Sequence, residues 1–586
     1  MIQACGAQIV VKLLELEGIK IVAGIPGGSI LPLYDELNKS SITHVLVRHE
    51  QAAGFIAQGM ARSTGKPAVC LATSGPGAMN LLTAIADARC DSVPIVAITG
   101  QVNRSLIGTD AFQEADTFGL SFPITKHSMM VSSPEDLLTA IPEAFAIAVS
   151  GRPGPVLVDI PRDVQLAIAQ FERWPSIRSI RAAKHSPLAQ RFCTPKKDYP
   201  KIIGAMADAI LGAKKPVLYL GGGCNTKEAA AGIQGFLNEL PCPVVTSLMG
   251  IGAVPSNYGG ALGMVGMHGS YAANRAMHDA DVVLAAGVRF DDRATGAISS
   301  FCPGAELLHI DIDAAEINKI IPASVSLVCD VESAFPLLSE LIAERKSCRN
   351  HLFAQAKTAR TSWFSELKKI KSETDSLELG RAKHLKKTDI NPRAFISSIP
   401  QKALEAGIDP KSIIVTTDVG QHQMWSAQYY PVQEARQFLT SGSLGTMGFG
   451  LPAAIGAALV HRSRRVVCIS GDGSILMNIQ ELATLSELGL NVTVIVLQNG
   501  SLGMVKQQQQ YLFKKNYSAS IFQKVPDFLE IACGFGIDAV DANTDSLWHK
   551  KAFAKGPHLV RLCISMEENV LPFVSAGKAN IDALRN

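Results

Sequence analysis

No charge of one sign prevails in this sequence. Lysine and arginine total 55 against 52 acidic residues, a formal charge of +3 over 586 residues. That balance gives no strong pull toward nucleic acid or anionic lipid. Cysteine pairing signals are also missing, since the 12 cysteines are scattered without a single C-x-x-C. Neither a disulfide framework nor a zinc site is expected. Cys5, Cys70, Cys90, Cys224, Cys242 and Cys468 lie in or beside apolar segments and read as free thiols of a reducing compartment. No uninterrupted apolar run reaches the roughly 18 residues of a membrane span. The opening "MIQACGAQIVVKLLELEG" lacks the basic start, greasy run and small-residue cleavage site of a secretory leader. It reads as an amphipathic helix, and the cytoplasm is the expected location. A nicotinamide fingerprint is absent too: "GIPGGS" at 24–29 departs from the Gly-x-Gly-x-x-Gly spacing, and "GDGSIL" at 471–476 lacks the third glycine.

What is present is length and rhythm. A chain of 586 residues, 47% apolar and 18% charged, fits an enzyme of two to four domains with large cores. Short apolar runs such as "IKIVAGIPG", "PAVCLATSGPG" and "GPVLVDIPRD" end at glycine, proline or polar residues and alternate with helical segments. This α/β rhythm predicts open, mostly parallel sheets covered by helices on both faces. The expected organisation is a first domain over 1–165, a surface connection over 166–196 and a second domain over 197–342. A charged helical linker, exposed over 343–389, then leads to a third domain at 390–575 and a tail at 576–586. The similar size of the three regions makes triplication of one architecture the expectation. Ligands of such sheets bind beyond the carboxyl ends of the strands.

Two strand ends stand out. Asp472 follows the apolar run "VVCIS" between Gly471 and Gly473, and Asn499 follows "VTVIVLQ". Glycines let backbone N–H groups approach an anion, and a helix starting near Ser474 would point its positive end there. An Asp carboxylate, an amide oxygen and diphosphate oxygens together make an all-oxygen site suited to Mg²⁺. Glu50, in "VLVRHEQAAGF", opens an alanine-rich helix. An acid there is ordinarily a cap or dipole partner, but apolar surroundings would raise its pKa and ease proton exchange.

The Asp472–Asn499 pattern resembles the diphosphate motif of thiamine diphosphate-dependent enzymes, which implies a metal held by Asp472, Asn499 and the backbone carbonyl of Ser501. "RHEQAA" is similar to the segment whose glutamate touches the cofactor's aminopyrimidine and activates it, so Glu50 takes that role by resemblance. "DVGQHQMW" places Gln421 and His422 at the phosphates. "SGSLGTMGFG" supplies Met447 as the residue propping the bent cofactor, and Met504 joins it. The family completes each site between two subunits, so at least a homodimer, or a dimer of dimers, is implied.

Across roughly 3–575 the chain resembles the large catalytic subunits of acetolactate synthases (acetohydroxyacid synthases), of the biosynthetic type that contains FAD. The strings "GIPGGSILPLYDEL", "ATSGPGAMNLLTAIADA", "TDAFQEAD", "GVRFDDRATG" and "HIDIDAAEI" carry this resemblance by their number and order. It implies Arg293 as the receiver of the second 2-keto acid's carboxylate, a task suited to a planar guanidinium. Phe112 and Gln113 would line the reacting pocket, with Arg162 and Gln508 near the second substrate. Gly222, Gly223, Ser247, Met267, His268, Asp292 and Asp311, with Arg152 from the first domain, would hold FAD. The implied reaction decarboxylates pyruvate and joins the two-carbon unit to a second pyruvate, giving 2-acetolactate, or to 2-ketobutyrate. These are steps of branched-chain amino acid biosynthesis, and a small regulatory subunit is a possible partner. The chain departs from the family at Gln508, where a tryptophan is usual, at Gln498 in place of an asparagine, and at Arg162 in place of a lysine. A related carboligase with a different acceptor, or a non-catalytic homologue, stays open as the alternative.

Overall fold

The computed structural model describes residues 1–177, 179–184, 191–349, 353–380, 390–575 and 577–585. Parts of the expected segments 166–196, 343–389 and 576–586 therefore lie outside the described residues. The chain builds three six-stranded sheets, in each of which all strand pairs are parallel.

The first sheet contains β1 (Ile21–Gly24), β2 (Thr43–Leu46), β3 (Ala68–Ala72), β4 (Ile95–Gln101), β5 (His127–Met130) and β6 (Val156–Pro161), in the order β2-β1-β3-β4-β6-β5. The second has β7 (Pro216–Leu220), β8 (Val244–Thr246), β9 (Ala261–Met264), β10 (Val282–Ala286), β11 (Glu306–Asp311) and β12 (Val325–Val328), in the order β9-β8-β7-β10-β11-β12. The third has β13 (Ile414–Thr417), β14 (Phe438–Leu439), β15 (Val466–Gly471), β16 (Val492–Gln498), β17 (Asp538–Asp541) and β18 (His558–Cys563), in the order β14-β13-β15-β16-β18-β17. The first and third sheets thus share one strand order. The second has the order of a dinucleotide-binding doubly wound sheet. Triplication of one architecture is corrected to a pair plus one different member. Strand order depends on which way each crossover turns, and a run of alternating strands and helices does not encode that.

Central strands are mostly apolar, as double-sided cover requires; β3, β4, β6 and β15 have no residue outside the interior. Helix α1 (Glu50–Thr64) ends at Gly65, whose φ of 75° is the left-handed cap that glycine takes without strain. Helix α2 (Pro76–Cys90) lies beside it. Helices α1 and α5 (Gly450–Val460) cross with backbones in direct contact. A Cβ on Gly59 would stand 2.1 Å from the Ala453 carbonyl oxygen, and one on Gly456 would stand 2.1 Å from that of Ile56. One apolar cluster runs through this crossing, from Ala23 and Cys70 to Cys468 and Val494, so the first and third domains share a core.

Three expectations change. Residues Ile2–Cys5 are an edge strand pairing antiparallel with Ile168–Phe171, and only Gly6–Leu16 is helical. The N-terminus is therefore tied to the segment expected as a plain connection. Within the expected exposed linker, α4 (Ala354–Gly380) packs against α3 (Tyr271–Asp279), burying Trp363 and Leu367. The composition shows the charged face, whereas the few apolar residues of the other face decide the docking. Residues 577–585 are no loose tail: Phe573 and Leu584 form a bridge, and Asn580 Nδ2 donates to the Ala294 carbonyl at 2.8 Å.

Candidate functional site

Parallel pairing explains how distant residues meet. Gly471 of β15 lies opposite Leu497 of β16, so the next residues leave adjacent strands at the same level. Asp472 and Asn499 thereby become neighbours: Asp472 Oδ2 accepts the Asn499 N–H at 3.0 Å and the Gly500 N–H at 2.6 Å. Burial pushes the Asp472 carboxyl up to about 6, which a bound cation would reverse. Among the described residues, no three His, Cys, Asp or Glu side chains gather as a metal cluster. The donor set at this turn is one carboxylate, the Asn499 amide and backbone oxygens, which is hard-oxygen chemistry suited to Mg²⁺ shared with a diphosphate.

Both glycines are close-approach positions. A Cβ on Gly471 would meet His422 Nδ1 at 2.8 Å, and one on Gly473 would meet Leu502 at 2.8 Å. His422 is buried and its Nε2 has no hydrogen-bond partner. Desolvation holds its imidazole down at about 3, so it is neutral at ordinary pH. An orphaned buried ring nitrogen beside a glycine-lined turn fits an anion's phosphate oxygen through an N–H donor.

These residues line a cavity of about 1090 Å³. Its third-domain wall includes Gln421, His422, Met447, Gly471 to Ser474, Asn499 and Ser501, and helix α6 (Gly503–Leu512) adds Met504 and Gln508. Its other wall is the carboxyl edge of the second sheet: Gly222 and Gly223 after β7, Ser247 after β8, Met267 and His268 after β9, Asp292 and Arg293 after β10, and Asp311 closing β11. Beta strands β7 and β10 flank the point where the strand order reverses, the position at which such sheets bind ligands. There Gly223 comes so close to Gly287 that a Cβ would stand 2.9 Å from its Cα. Burial raises the Asp311 carboxyl to about 7. Arg152 reaches over from the first domain, bonding Glu316 at 2.7 Å and Ser92 at 2.8 Å. This polar-ended, glycine-floored trough fits an elongated dinucleotide such as FAD.

Arg293 stands on the cavity wall with its side chain 68% exposed, 3.6 Å from Asp292 and with Nη1 3.8 Å from the Met267 sulfur. Asp291 caps the short helix carrying it by accepting the Arg293 and Ala294 N–H groups. The guanidinium is thus held by one exposed carboxylate and remains open to an anionic ligand.

Four expected site residues lie elsewhere. Glu50, Phe112, Gln113 and Arg162 do not line this cavity. Glu50 opens α1, half-buried, with its Oε2 accepting from Asn80 Nδ2 at 2.9 Å. Gln113 takes a left-handed φ of 59° and packs its backbone on Gly75, close to the start of α2. Phe112 is 88% exposed, so it fills no core of its own chain. Arg162 is exposed at the end of β6. These four residues thus lie apart from the wall that carries Asp472 and Asn499.

Sequence reasoning missed a buried latch joining the first and third domains. Arg62 Nη2 bonds Asp91 at 2.9 Å and Asp87 at 3.2 Å, and Asp91 accepts the N–H groups of Gly442 and Ser443 at 2.8 and 2.9 Å. Ser441 and Thr446 hydroxyls donate to Asp87. The loop leading to Met447 is thereby fastened to α2. Arg289 joins the second domain to the same place through the Cys90 carbonyl at 2.7 Å and the Ser443 hydroxyl. Two acids four residues apart around the end of an apolar helix, in "IADARCD", were the available signal.

Comparison with known proteins agrees with the three-domain fold. Three family models match in chain order: thiamine pyrophosphate enzyme, N-terminal TPP binding domain (residues 5–120), central domain (203–340) and C-terminal TPP binding domain (418–561). The chain is 45% identical to the acetolactate synthase isozyme 1 large subunit of Escherichia coli (strain K12), over 98% of this chain and 97% of that one. It is 42% identical to the isozyme 2 large subunit of the same organism, over 99% of each. Identity to the acetolactate synthase of Mycobacterium bovis is 41%, over 99% of this chain and 91% of that one. With its three α/β domains in that order and this identity over nearly its whole length, the chain belongs to the acetolactate synthase large-subunit family of thiamine pyrophosphate enzymes.

Proposed function

We propose that this chain is the catalytic subunit of an acetolactate synthase, joining the two-carbon unit of one pyruvate to a second pyruvate, or to 2-ketobutyrate, with loss of carbon dioxide. The observation that carries the site assignment is the pairing of Asp472 with Asn499 at the ends of adjacent parallel strands, under the orphaned Nε2 of His422. Bound thiamine diphosphate supplies the electron sink for decarboxylation. Asp472, Asn499 and the Ser501 carbonyl would hold the Mg²⁺ that accompanies the diphosphate. The backbone N–H of Gln421, the His422 ring and the Gly473 and Ser474 turn would bind the phosphate oxygens, and Met447 and Met504 would fix the cofactor's shape.

Glu50 holds and moves the activating proton at the aminopyrimidine. Because Glu50 is absent from the wall that carries Asp472 in the same chain, a second copy supplies it together with Phe112, Gln113 and Arg162. The 88% exposure of Phe112 supports such a shared site, since an uncovered aromatic is normal at an interface. Arg293 receives the carboxylate of the second keto acid through its open guanidinium. Gly222, Gly223, Ser247, Met267, His268, Asp292 and Asp311, with Arg152, would hold FAD, which would serve a structural role. The relatives' designation as large subunits supports a small regulatory partner.

The test is product identification. Purified protein given thiamine diphosphate, Mg²⁺, FAD and pyruvate is expected to form 2-acetolactate, and 2-aceto-2-hydroxybutyrate when 2-ketobutyrate is added. Glu50→Gln should keep cofactor binding and lose about 10²-fold or more of turnover. Full turnover in that variant would remove Glu50 from this role.

A further inference from the structure

The four consecutive glutamines 507–510 sit on α6, and the fold gives them different surroundings. Gln508 faces the cavity, while Gln509 bonds the Ser518 carbonyl and the Ser520 hydroxyl. Gln507 alone of the four is fully buried. Its Nε2 donates to the Val570 carbonyl at 2.8 Å. Its Oε1 accepts the Val570 N–H at 2.8 Å and Gln421 Nε2 at 3.1 Å.

A primary amide nearly fits its place either way round, with N and O exchanged. A backbone N–H only donates, however, and a carbonyl only accepts. The Val570 pair therefore dictates which end of Gln507 is oxygen. That oxygen and the Glu568 carbonyl, at 2.9 Å, give Gln421 Nε2 two acceptors. Gln421 Oε1 is thereby turned toward Asn499, whose Nδ2 donates to it at 3.1 Å. The NH₂ end of Asn499, which would repel a cation, is tied away. Its Oδ1 accepts the N–H and hydroxyl of Ser501 at 3.0 and 3.1 Å. The hydroxyl can rotate away and free a lone pair. Arg393 secures the far end of the relay by pairing with Glu568 at 2.7 Å.

We propose that Gln507 is a positioning residue for the metal ligand Asn499, acting through Gln421 to keep the amide oxygen, and not the NH₂, available to the cation. This rests on the magnesium reading given above. Gln507 and Gln421 are buried, where a misoriented amide leaves unpaired groups at high cost.

The test reads metal binding without turnover. Full-length protein at fixed thiamine diphosphate is titrated with Mg²⁺, and bound thiamine diphosphate is measured by equilibrium dialysis. Gln507→Met and Gln507→Leu should each raise the half-saturating Mg²⁺ about tenfold or more, as loss of a ligand-orienting partner does. Gln507→Glu still offers an acceptor to Gln421 and to the Val570 N–H, so it should stay within about threefold of wild type. Wild-type titration in an apolar variant shown folded by circular dichroism overturns the proposal, as does a tenfold rise in the Glu variant. If neither apolar variant folds, the Glu variant decides between the same two results. Asn499→Ala separates the two layers. An unchanged titration there sinks the magnesium assignment and this proposal with it. A raised one beside wild-type behaviour in the apolar Gln507 variants sinks only the role of Gln507.

Discussion

Asp159 is fully buried in β6, where Thr99 Oγ1 donates to it at 2.7 Å and Gln101 Nε2 at 3.0 Å. Burial pushes its carboxyl up to about 7, from an ordinary value of 3.8. A carboxyl raised in the folded state contributes stability that is complete below the unfolded pKa and is lost as pH rises through the folded one. The melting temperature of wild type minus that of Asp159→Asn should therefore fall between pH 4 and 8, measured by calorimetry. A difference that grows over that window would contradict it. Gln508 poses a question of specificity. It is exposed on the cavity side of α6, and an amide there wants hydrogen bonds that an aliphatic substituent does not offer. One methylene is worth only about 1–3 kcal/mol of discrimination and needs close apolar contact. Competition between 2-ketobutyrate and pyruvate should thus show weak preference, and Gln508→Trp should raise the 2-ketobutyrate share about tenfold. A strong preference in wild type would overturn this. Gln508 was legible from its place four residues after Met504, whereas Asp159 was not, because sequence does not tell which strand carboxylate meets a threonine on the neighbouring strand.

Among elements, the crossing of α1 and α5 ties the helix that opens with Glu50 to the third domain. Its closeness depends on two glycines that each accept the other helix's carbonyl where a Cβ would be. Gly59→Ala or Gly456→Ala forces the helices apart and should cost about 1–3 kcal/mol in urea unfolding. An unchanged midpoint would show that the crossing relaxes freely. Helix composition revealed α1 as a helix, but neither α5 nor the contact between the two. Strands divide in the same way. The apolar runs of β1, β3, β4, β6, β7, β10, β15, β16 and β18 were readable because both faces are covered. The edge strands β5, β9, β12 and β17, with sequences HSMM, ALGM, VSLV and DAVD, were missed. A strand covered on fewer sides needs no continuous apolar run.

At the scale of the whole molecule, three domains converge on one cavity while Glu50 faces elsewhere. This predicts complementation: Glu50→Gln and Asn499→Ala proteins, each inactive, should regain activity when mixed and allowed to exchange subunits. No recovery, with exchange verified by light scattering or mass spectrometry of tagged chains, would argue for a site completed within one chain. The order of the domains, the α/β class and the placement of Asp472 and Asn499 just past the ends of apolar strands were determined by the sequence alone, because glycine-flanked polar residues at the ends of apolar runs have a local cause. Only the tertiary structure decided the strand order of the second sheet, the docking of α4, the Arg62–Asp87–Asp91 latch and the Gln507 relay. These depend on contacts between residues tens to hundreds of positions apart, where direction of crossover, backbone approach and amide orientation leave no local mark.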